Sequence, residues 1–217
     1  MTRKQLLTLA LSLMSVVMFG TAKAAGKVAD GIYSSPLSNY TVPVPKWQGL
    51  RIQENNDNDF AIVSFLDRGT MPAPLQSIAT LRLDPGAMTM LADAGKRDLL
   101  LKRFLTGFVL PGLFRNVAPQ TTLSHETFFD SNDRRLFFAV ANIPEAHTFL
   151  HNPKEGKQAD SLSALIVFHE KGFMYMVRVE MRTLFDANLT PSSLGEKKLE
   201  STRESLLQLM RSMKFTD

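Results

Sequence analysis

The chain has no cysteine among its 217 residues. That excludes disulfides, thiol catalysis and a lipid-modified amino-terminal cysteine, and it leaves the fold without covalent support. Internal repeats, low-complexity tracts and Gly/Ser-rich linkers are absent too, so nothing divides the chain. No GxSxG, Walker loop, dinucleotide fingerprint or SxxK occurs, which removes the common hydrolase, nucleotide-binding and acyl-serine signatures. Long apolar runs are also missing. The one stretch of that kind, Leu6 to Phe19, is interrupted by Thr8, Ser12 and Ser15 and falls short of the roughly 20 apolar residues that a transmembrane helix needs.

Net charge is the next thing the chain has little of. The formal charge is +4, but Arg3, Lys4 and Lys23 lie in the first 24 residues, which hold no acid; the remainder carries 22 basic against 21 acidic side chains. A nucleic-acid binder keeps its basic excess in the folded domain. This chain does not, and no nucleic-acid partner is expected.

What is present at the front is an export pattern. Arg3 and Lys4 form a basic start, Leu6 to Phe19 an apolar core, and Ala22-Lys23-Ala24 places small residues where a signal peptidase reads them. The expectation is a signal peptide over residues 1–24, cleaved after Ala24, and a periplasmic or secreted product that is not a lipoprotein. Residues 25–35 read as a flexible lead-in. Residues 36–217 read as a single domain, long enough to bury a core without staples.

Within that domain, Tyr40 to Val44 alternates apolar and polar residues, and Pro43 and Pro45 confine it to a sheet edge because proline cannot donate to a ladder. Leu50 to Gln53 and Phe60 to Asp67 flank a polar cluster and read as a hairpin. Ser77 to Leu83 is a further strand. After Pro85-Gly86 the period becomes helical through Met90, Ala94, Leu101, Leu105 and Phe108, and Pro111-Gly112 is expected to stop that helix. Leu123 to Phe129 with Arg134 to Ile143, and Leu162 to His169 with Phe173 to Glu180, form two more hairpins. Leu199, Thr202, Leu206, Leu209 and Met213 mark one stripe of a last helix of roughly 16 to 20 residues, capped from Thr190-Pro191 or by a Ser193/Glu196 capping box. Lys197 and Arg203 fall on its exposed side. Each helix must bury its stripe against another layer. The predicted fold is therefore α+β, a three-layer α/β/α sandwich whose mainly antiparallel sheet is flanked by a mid-chain helix and a C-terminal helix.

"YSSPLSNYTVPVP", a hairpin, a mid-chain helix, two further hairpins and a final helix ending "LMRSMKF" resemble the PsbP-like families. These include the extrinsic photosystem II subunit, a Ran-binding import factor and DcrB-like exported bacterial proteins. The resemblance spans residues 33 to 215 as an order of elements. It implies an α/β/α sandwich with the opening strand at or near a sheet margin, and no shared catalytic centre. It carries over no functional residues.

Several clusters could bear chemistry. His147 and His151, spaced i and i+4, would share a helix face and could bind a cation if Glu145, His125 or His169 completed the shell. Thr148 stands where an HExxH hydrolase has glutamate, and the ordinary account is two histidines in a surface loop. Asp57-Asn58-Asp59 begins like a calcium loop, but Ile62 and Arg68 occupy its glycine and glutamate positions. Met88-Thr89-Met90 and Met174-Tyr175-Met176 are soft-ligand spacings that core packing also explains. No cofactor is implied. Phe104, Phe108, Leu113 and Phe114 lie in a segment apolar nearly all round, which is either a core helix with a buried exit or a contact surface for a protein, a membrane or a small apolar ligand. The expectation is an exported, non-catalytic binding domain of unidentified partner; the alternative is a metal-assisted periplasmic enzyme using His147 and His151.

Overall fold

Five sequence-adjacent antiparallel pairs build most of the main sheet, and two of their turns show why. In the computed structural model, which describes residues 25–67, 75–113, 120–144, 161–184 and 189–216, Asn132 and Asp133 take positive φ between β7 (Thr122–Ser131) and β8 (Arg134–Ile143). Lys171 and Gly172 do the same between β9 (Ser161–Glu170) and β10 (Phe173–Glu180). Two left-handed central residues twist a two-residue turn to match the strands it joins. With β4 (Leu50–Asn56), β5 (Phe60–Asp67) and β6 (Leu75–Arg82), these strands form a seven-stranded sheet in the order β4-β5-β6-β10-β9-β8-β7. Every neighbouring pair is antiparallel.

The lead-in expected at 25–35 is a correction. Lys27–Ala29 (β1) and Ile32–Ser34 (β2) pair across Asp30-Gly31, both at positive φ. Asp-Gly is a strong short-range hairpin signal, and the polar composition concealed it. A second sheet results, in the order β1-β2-β3-β11, where β3 is Tyr40–Pro43 and β11 is Lys214–Phe215. Strand β3 is thus not at the edge, yet its proline still faces none of its neighbours' acceptors. Val44 N–H donates to Gly31 O at 2.8 Å, so by alternation the Pro43 nitrogen points away from β2. On that other side β11 pairs only with Tyr40 and Thr41. Proline sits where the ladder has already ended.

One face of the large sheet carries α1 (Pro85–Ala92), α2 (Ala94–Arg103), a π-helical turn (Phe104–Val109) and α3 (Leu110–Leu113). The sequence predicts a single helix stopped at Pro111. Instead Asp84 caps α1 and Asp93 caps α2, and the backbone continues to Leu113. Pro111 lacks the N–H that an α-helix needs; ahead of it the helix widens, and Leu110 N–H reaches Leu105 O. After β10 comes a short helix α4 (Met181–Leu184), then a 3₁₀ turn (Pro191–Ser193) that holds the Thr190 capping box, then α5 (Glu196–Ser212) with Gly195 as its N-cap. The opposite face of the sheet carries α5 and the small sheet together.

Two cores follow from this layering. Leu91, Leu101, Phe104, Leu105 and Val109 pack on Ile62, Ala79, Phe137, Val167 and Met176. On the other side Leu206, Leu207 and Met210 of α5 join Tyr33, Tyr40 and Val42 against Ile78, Phe138, Ile166 and Tyr175. Thr202, Leu206 and Met213 of the predicted stripe are buried; Leu207 and Met210 join them, whereas Leu199 and Leu209 are only partly covered. Arg203 is not a plain surface residue either, since its guanidinium lies 5.1 Å from the Phe138 ring centroid and 5.3 Å from that of Phe129.

The two sheets are tied by Asn39. Its Nδ2 donates to Thr80 Oγ1 at 2.7 Å and to Tyr175 OH at 3.1 Å, and these two residues face each other across β6 and β10. Asn39→Ala is expected to cost about 1–3 kcal/mol by leaving buried hydroxyls short of a partner. Leu206→Ala is expected to cost about 2–5 kcal/mol because a cavity adds to the transfer loss. Leu209→Ala should cost less than Leu206→Ala, Arg203→Ala about 1–2 kcal/mol through its lost ring contacts, and Lys197→Ala no more than about 0.5 kcal/mol. Urea unfolding of the five variants checks the ranking.

Candidate functional site

Two polar clusters lie on the α1–α2 side of the sheet, and they differ in access. The first joins Ser161 and Ser163 of β9 to Arg178 and Glu180 of β10. Arg178 Nε donates to Ser163 Oγ at 2.8 Å and its Nη2 to Ser161 Oγ at 2.9 Å. Ser161 Oγ in turn donates to Glu180 Oε2 at 2.5 Å, and Leu162 N–H donates to Glu180 Oε1 at 3.1 Å. Burial draws the Arg178 guanidinium below its ordinary pKa and pushes the Glu180 carboxyl up, the latter opposed by Arg178 itself. None of the four is more than 6% exposed. A serine beside a carboxylate invites a nucleophile reading, but all four side chains are buried. The cluster is a closed, hydrogen-bonded plug of the kind a buried charge requires.

The second cluster is open. Met88, Leu91 and Ala92 of α1 and Arg97 and Leu101 of α2 face Asp133, Arg134, Arg135, His169, Glu170 and Lys171 across a groove of ≈ 400 Å³. The adjacent turns of the β7–β8 and β9–β10 hairpins form one wall. Asp98 anchors the helix to the sheet through a fork, accepting from Arg135 Nε at 3.0 Å and Nη2 at 2.8 Å. That bond holds the Asp98 carboxyl below its usual range. Arg135 also reaches Asp130 at 3.1 Å, and Arg134 pairs with Glu170 at 2.5 Å. Arg97 Nε and His169 Nε2 are buried atoms with no hydrogen-bond partner among the described residues. Two orphaned polar atoms on the walls of one groove are uncommon in a folded protein.

A further depression on the outer face of α5 is lined by Lys197, Glu200, Ser201, Arg203, Glu204 and Leu207. Its two cations and two anions balance, and it runs along one helix rather than between elements.

The residues singled out from sequence fall as follows. His147 and His151 lie outside the described residues, as do Glu145 and Phe114. His125 is exposed on a bulge of β7, two strands away from β9 and His169. Among the described residues no group of three or more His, Asp or Glu is placed to hold a metal ion. Asp57, Asn58 and Asp59 form the β4–β5 turn, with Arg82 bridging to Asp59 at 3.5 Å. Met174 and Met176 are wholly buried core residues. Phe104 is 5% exposed, and Phe108 packs on Phe60 at 5.2 Å and on Phe104 at 5.9 Å. At these two positions the apolar segment is core rather than contact surface, because the π-helical turn presses both rings toward the sheet. Leu113 ends α3, and its side chain lies outside the described residues. Arg97 and His169 were not paired by the sequence. One signal was available: Lys96 and Arg97 put two cations in the first turn of a helix, where the macrodipole disfavours them.

No protein-family model and no curated protein matches the chain. Among solved structures, cyanobacterial PsbP (CyanoP) from Synechocystis sp. PCC 6803 aligns with a TM-score of 0.48 at 12% identity, over 94% of this chain and 99% of that one. In fold, this chain resembles PsbP. A protein from Bacteroides thetaiotaomicron VPI-5482 aligns with a TM-score of 0.42 at 8% identity, over 90% of this chain but only 50% of its own length. At such identities the likeness is one of architecture alone.

Burial lowers the His169 pKa, with Glu170 opposing; Arg97 of α2, Arg134 and Arg135 of β8 and Lys171 of the turn are the cations around it, and Asp133 the remaining acid. The unfolded imidazole takes up its proton near pH 6.5, where the folded one stays neutral. The unfolded state then binds more protons, so stability should be full above about pH 6.5 and fall as the pH drops below it. His169→Gln should flatten that acid slope. Urea unfolding between neutral pH and the mildly acid range, wild type against variant, measures it.

Proposed function

We propose that this chain is an exported, non-catalytic binding domain whose ligand site is the groove between α1, α2 and the two hairpin turns. The observation that carries the reading is the pair of orphaned atoms, Arg97 Nε and His169 Nε2, on the walls of one groove. Leaving such groups unpaired costs stability, and a ligand that pairs with both recovers it. The serine–carboxylate cluster that most resembles catalytic machinery is closed to solvent, which supports binding over chemistry.

Export rests on the amino-terminal pattern, and among the described residues no helix is long and apolar enough to cross a membrane. Gly26 N–H donates to Glu54 Oε2 at 3.0 Å, and a Cβ at Gly26 would come within 2.5 Å of Glu54 and Tyr33. An α-ammonium created at Ala25 would therefore lie one residue from a carboxylate already turned toward the chain end.

Two measurements test the reading. Intact-mass analysis of exported protein should give a chain starting at Ala25; a full-length product retained in the membrane would contradict export. Thermal-shift screening of small molecules should find compounds that raise the melting temperature of the parent, by about 2.7 kcal/mol of added stability at a hundredfold excess over Kd. The Arg97→Ala/His169→Ala double variant should lose that response. If every stabilising compound acts equally on the double variant, the groove is not the site.

A further inference from the structure

We infer that the groove is an oxyanion site, taking a small organic molecule whose carboxylate or phosphate is held between Arg97 and His169 while the rest lies against Met88 and Leu91. The inference rests on the binding reading above and names the chemistry of its ligand.

Polarity comes first. Arg97 Nε can only donate, because a guanidinium stays protonated and has no acceptor. A cation brought to the same place would meet the guanidinium's charge before it met the His169 lone pair. Burial keeps His169 neutral, so its ring can present one N–H without adding a competing charge. With Arg97 Nε limited to donating and a neutral His169 donating from Nε2 in one of its two tautomers, both groups suit an acceptor with several lone pairs, which a carboxylate or phosphate supplies.

The charge inventory agrees. The lining holds Arg97, Arg134, Arg135 and Lys171 against Asp133 and Glu170. Glu170 is engaged by Arg134, and Arg135 is engaged by Asp98 and Asp130. Asp133 is exposed on its turn, where water screens it. Within the lining itself the cations outnumber the acids, and Arg97 makes no ion pair among the described residues, although the neighbouring Asp98 carboxylate acts on it through space. The position of Arg97 makes the cost plain. Lys96, its neighbour in the first turn of α2, is offset by Asp93 at 2.8 Å, whereas Arg97 faces the positive end of the helix without such relief. The helix end itself is not the binding element, because the Gly95 and Lys96 N–H groups already donate to Asp93.

Size and lining set the rest of the ligand. A volume of ≈ 400 Å³ lies within the usual range for small-molecule sites. Leu91 and Leu101 are buried as its floor, and Met88 is 37% exposed at its rim. The balanced depression on α5 has neither the surplus charge nor two facing walls.

The test is a titration of ¹⁵N-labelled mature protein with inorganic phosphate and, separately, with sodium acetate, each against sodium chloride at matched ionic strength. Saturable shifts of the His169 ring nitrogens and the Arg97 Nε–H are expected, together with a rise in the His169 titration midpoint. Arg97→Gln should weaken binding about tenfold or more, the loss of one charge-assisted bond, and Lys197→Ala should leave it unchanged. His169→Leu repeats the test should Arg97→Gln fold poorly, and undisturbed amide shifts around Leu206 certify each fold. Response to phosphate alone or to acetate alone identifies the headgroup. Shifts that follow chloride equally, or that survive both variants, overturn the inference. So does saturable binding of tetramethylammonium in the groove, which would leave the binding reading standing. Stabilisation by neutral compounds that requires Arg97 and His169, with neither anion bound, has the same meaning.

Discussion

The pairing of β6 with β10 is the contact on which the rest depends. Each half of the large sheet is built locally by hairpins, β4-β5-β6 on one side and β7 to β10 on the other. Only the ladder from Phe173↔Arg82 to Val179↔Gln76 makes them one layer. These residues are 91 to 103 positions apart in sequence, so the ladder bears the loop-closure cost that local hairpins avoid. Tertiary contacts reinforce it at its middle. Asn39 bonds both members of the Tyr175↔Thr80 pair, and Tyr175 stacks on Phe168 at 5.2 Å. The small sheet is therefore a clasp across the seam, with the two ends of the domain meeting in it where β11 pairs with β3.

That clasp also explains how a cysteine-free chain holds together. A single core on one side of the sheet would leave the other face to water. Here both faces are covered, one by the α1–α3 run and one by α5 with the small sheet. Burial is close to complete along β8, β9 and β10. Central strands covered on both faces lose the apolar/polar alternation of a half-exposed sheet and read as near-continuous apolar runs. "LFFAV" and "SALIVF" are such runs, and in them sequence and packing agree.

Legibility in the sequence followed the range of the interactions. Strands β7 to β10 and their turns were readable because alternation, apolar runs and turn residues are local signals. The C-terminal helix was readable in extent and in Thr202, Leu206 and Met213 of its stripe, but Leu207 and Met210 take the buried places expected of Leu199 and Leu209. Leu209 satisfies the periodicity as well as Met210 does, and only the small sheet beside α5 decides between them. The β1–β2 hairpin was passed over although Asp30-Gly31 announces it, because its strands are three residues each and mostly exposed. The broken mid-chain helix was read as continuous because a π-helical turn has no sequence period of its own. The order of elements implied a PsbP-like sandwich, and the fold has that architecture; its second sheet was invisible because two of its strands come from opposite ends of the domain. The groove was the least legible feature. Arg97, His169 and the turn at Asn132-Asp133 lie on three separate elements, and no linear spacing relates them.

The closed cluster and the open groove use nearly the same chemistry to opposite ends. Each sets arginine against a carboxylate on the same face of the sheet. Around Arg178 the described groups satisfy one another: serine hydroxyls take the guanidinium's protons, and a backbone N–H shares the carboxylate. Such a network rigidifies the end of the sheet and leaves nothing to offer a ligand. Around Arg135 the same economy holds, with Asp98 taking the fork and docking α2 on β8. One step further along α2 it stops. Arg97 lies in the unfavourable end of the helix field, with its buried Nε unpaired beside an unpaired imidazole nitrogen. On this face of the sheet two polar networks are completed and a third, at an opening, leaves two of its atoms unpaired. Natural proteins concentrate such exceptions at functional sites. The incomplete network, rather than the most charged or most buried one, is the feature on which the proposed binding site rests.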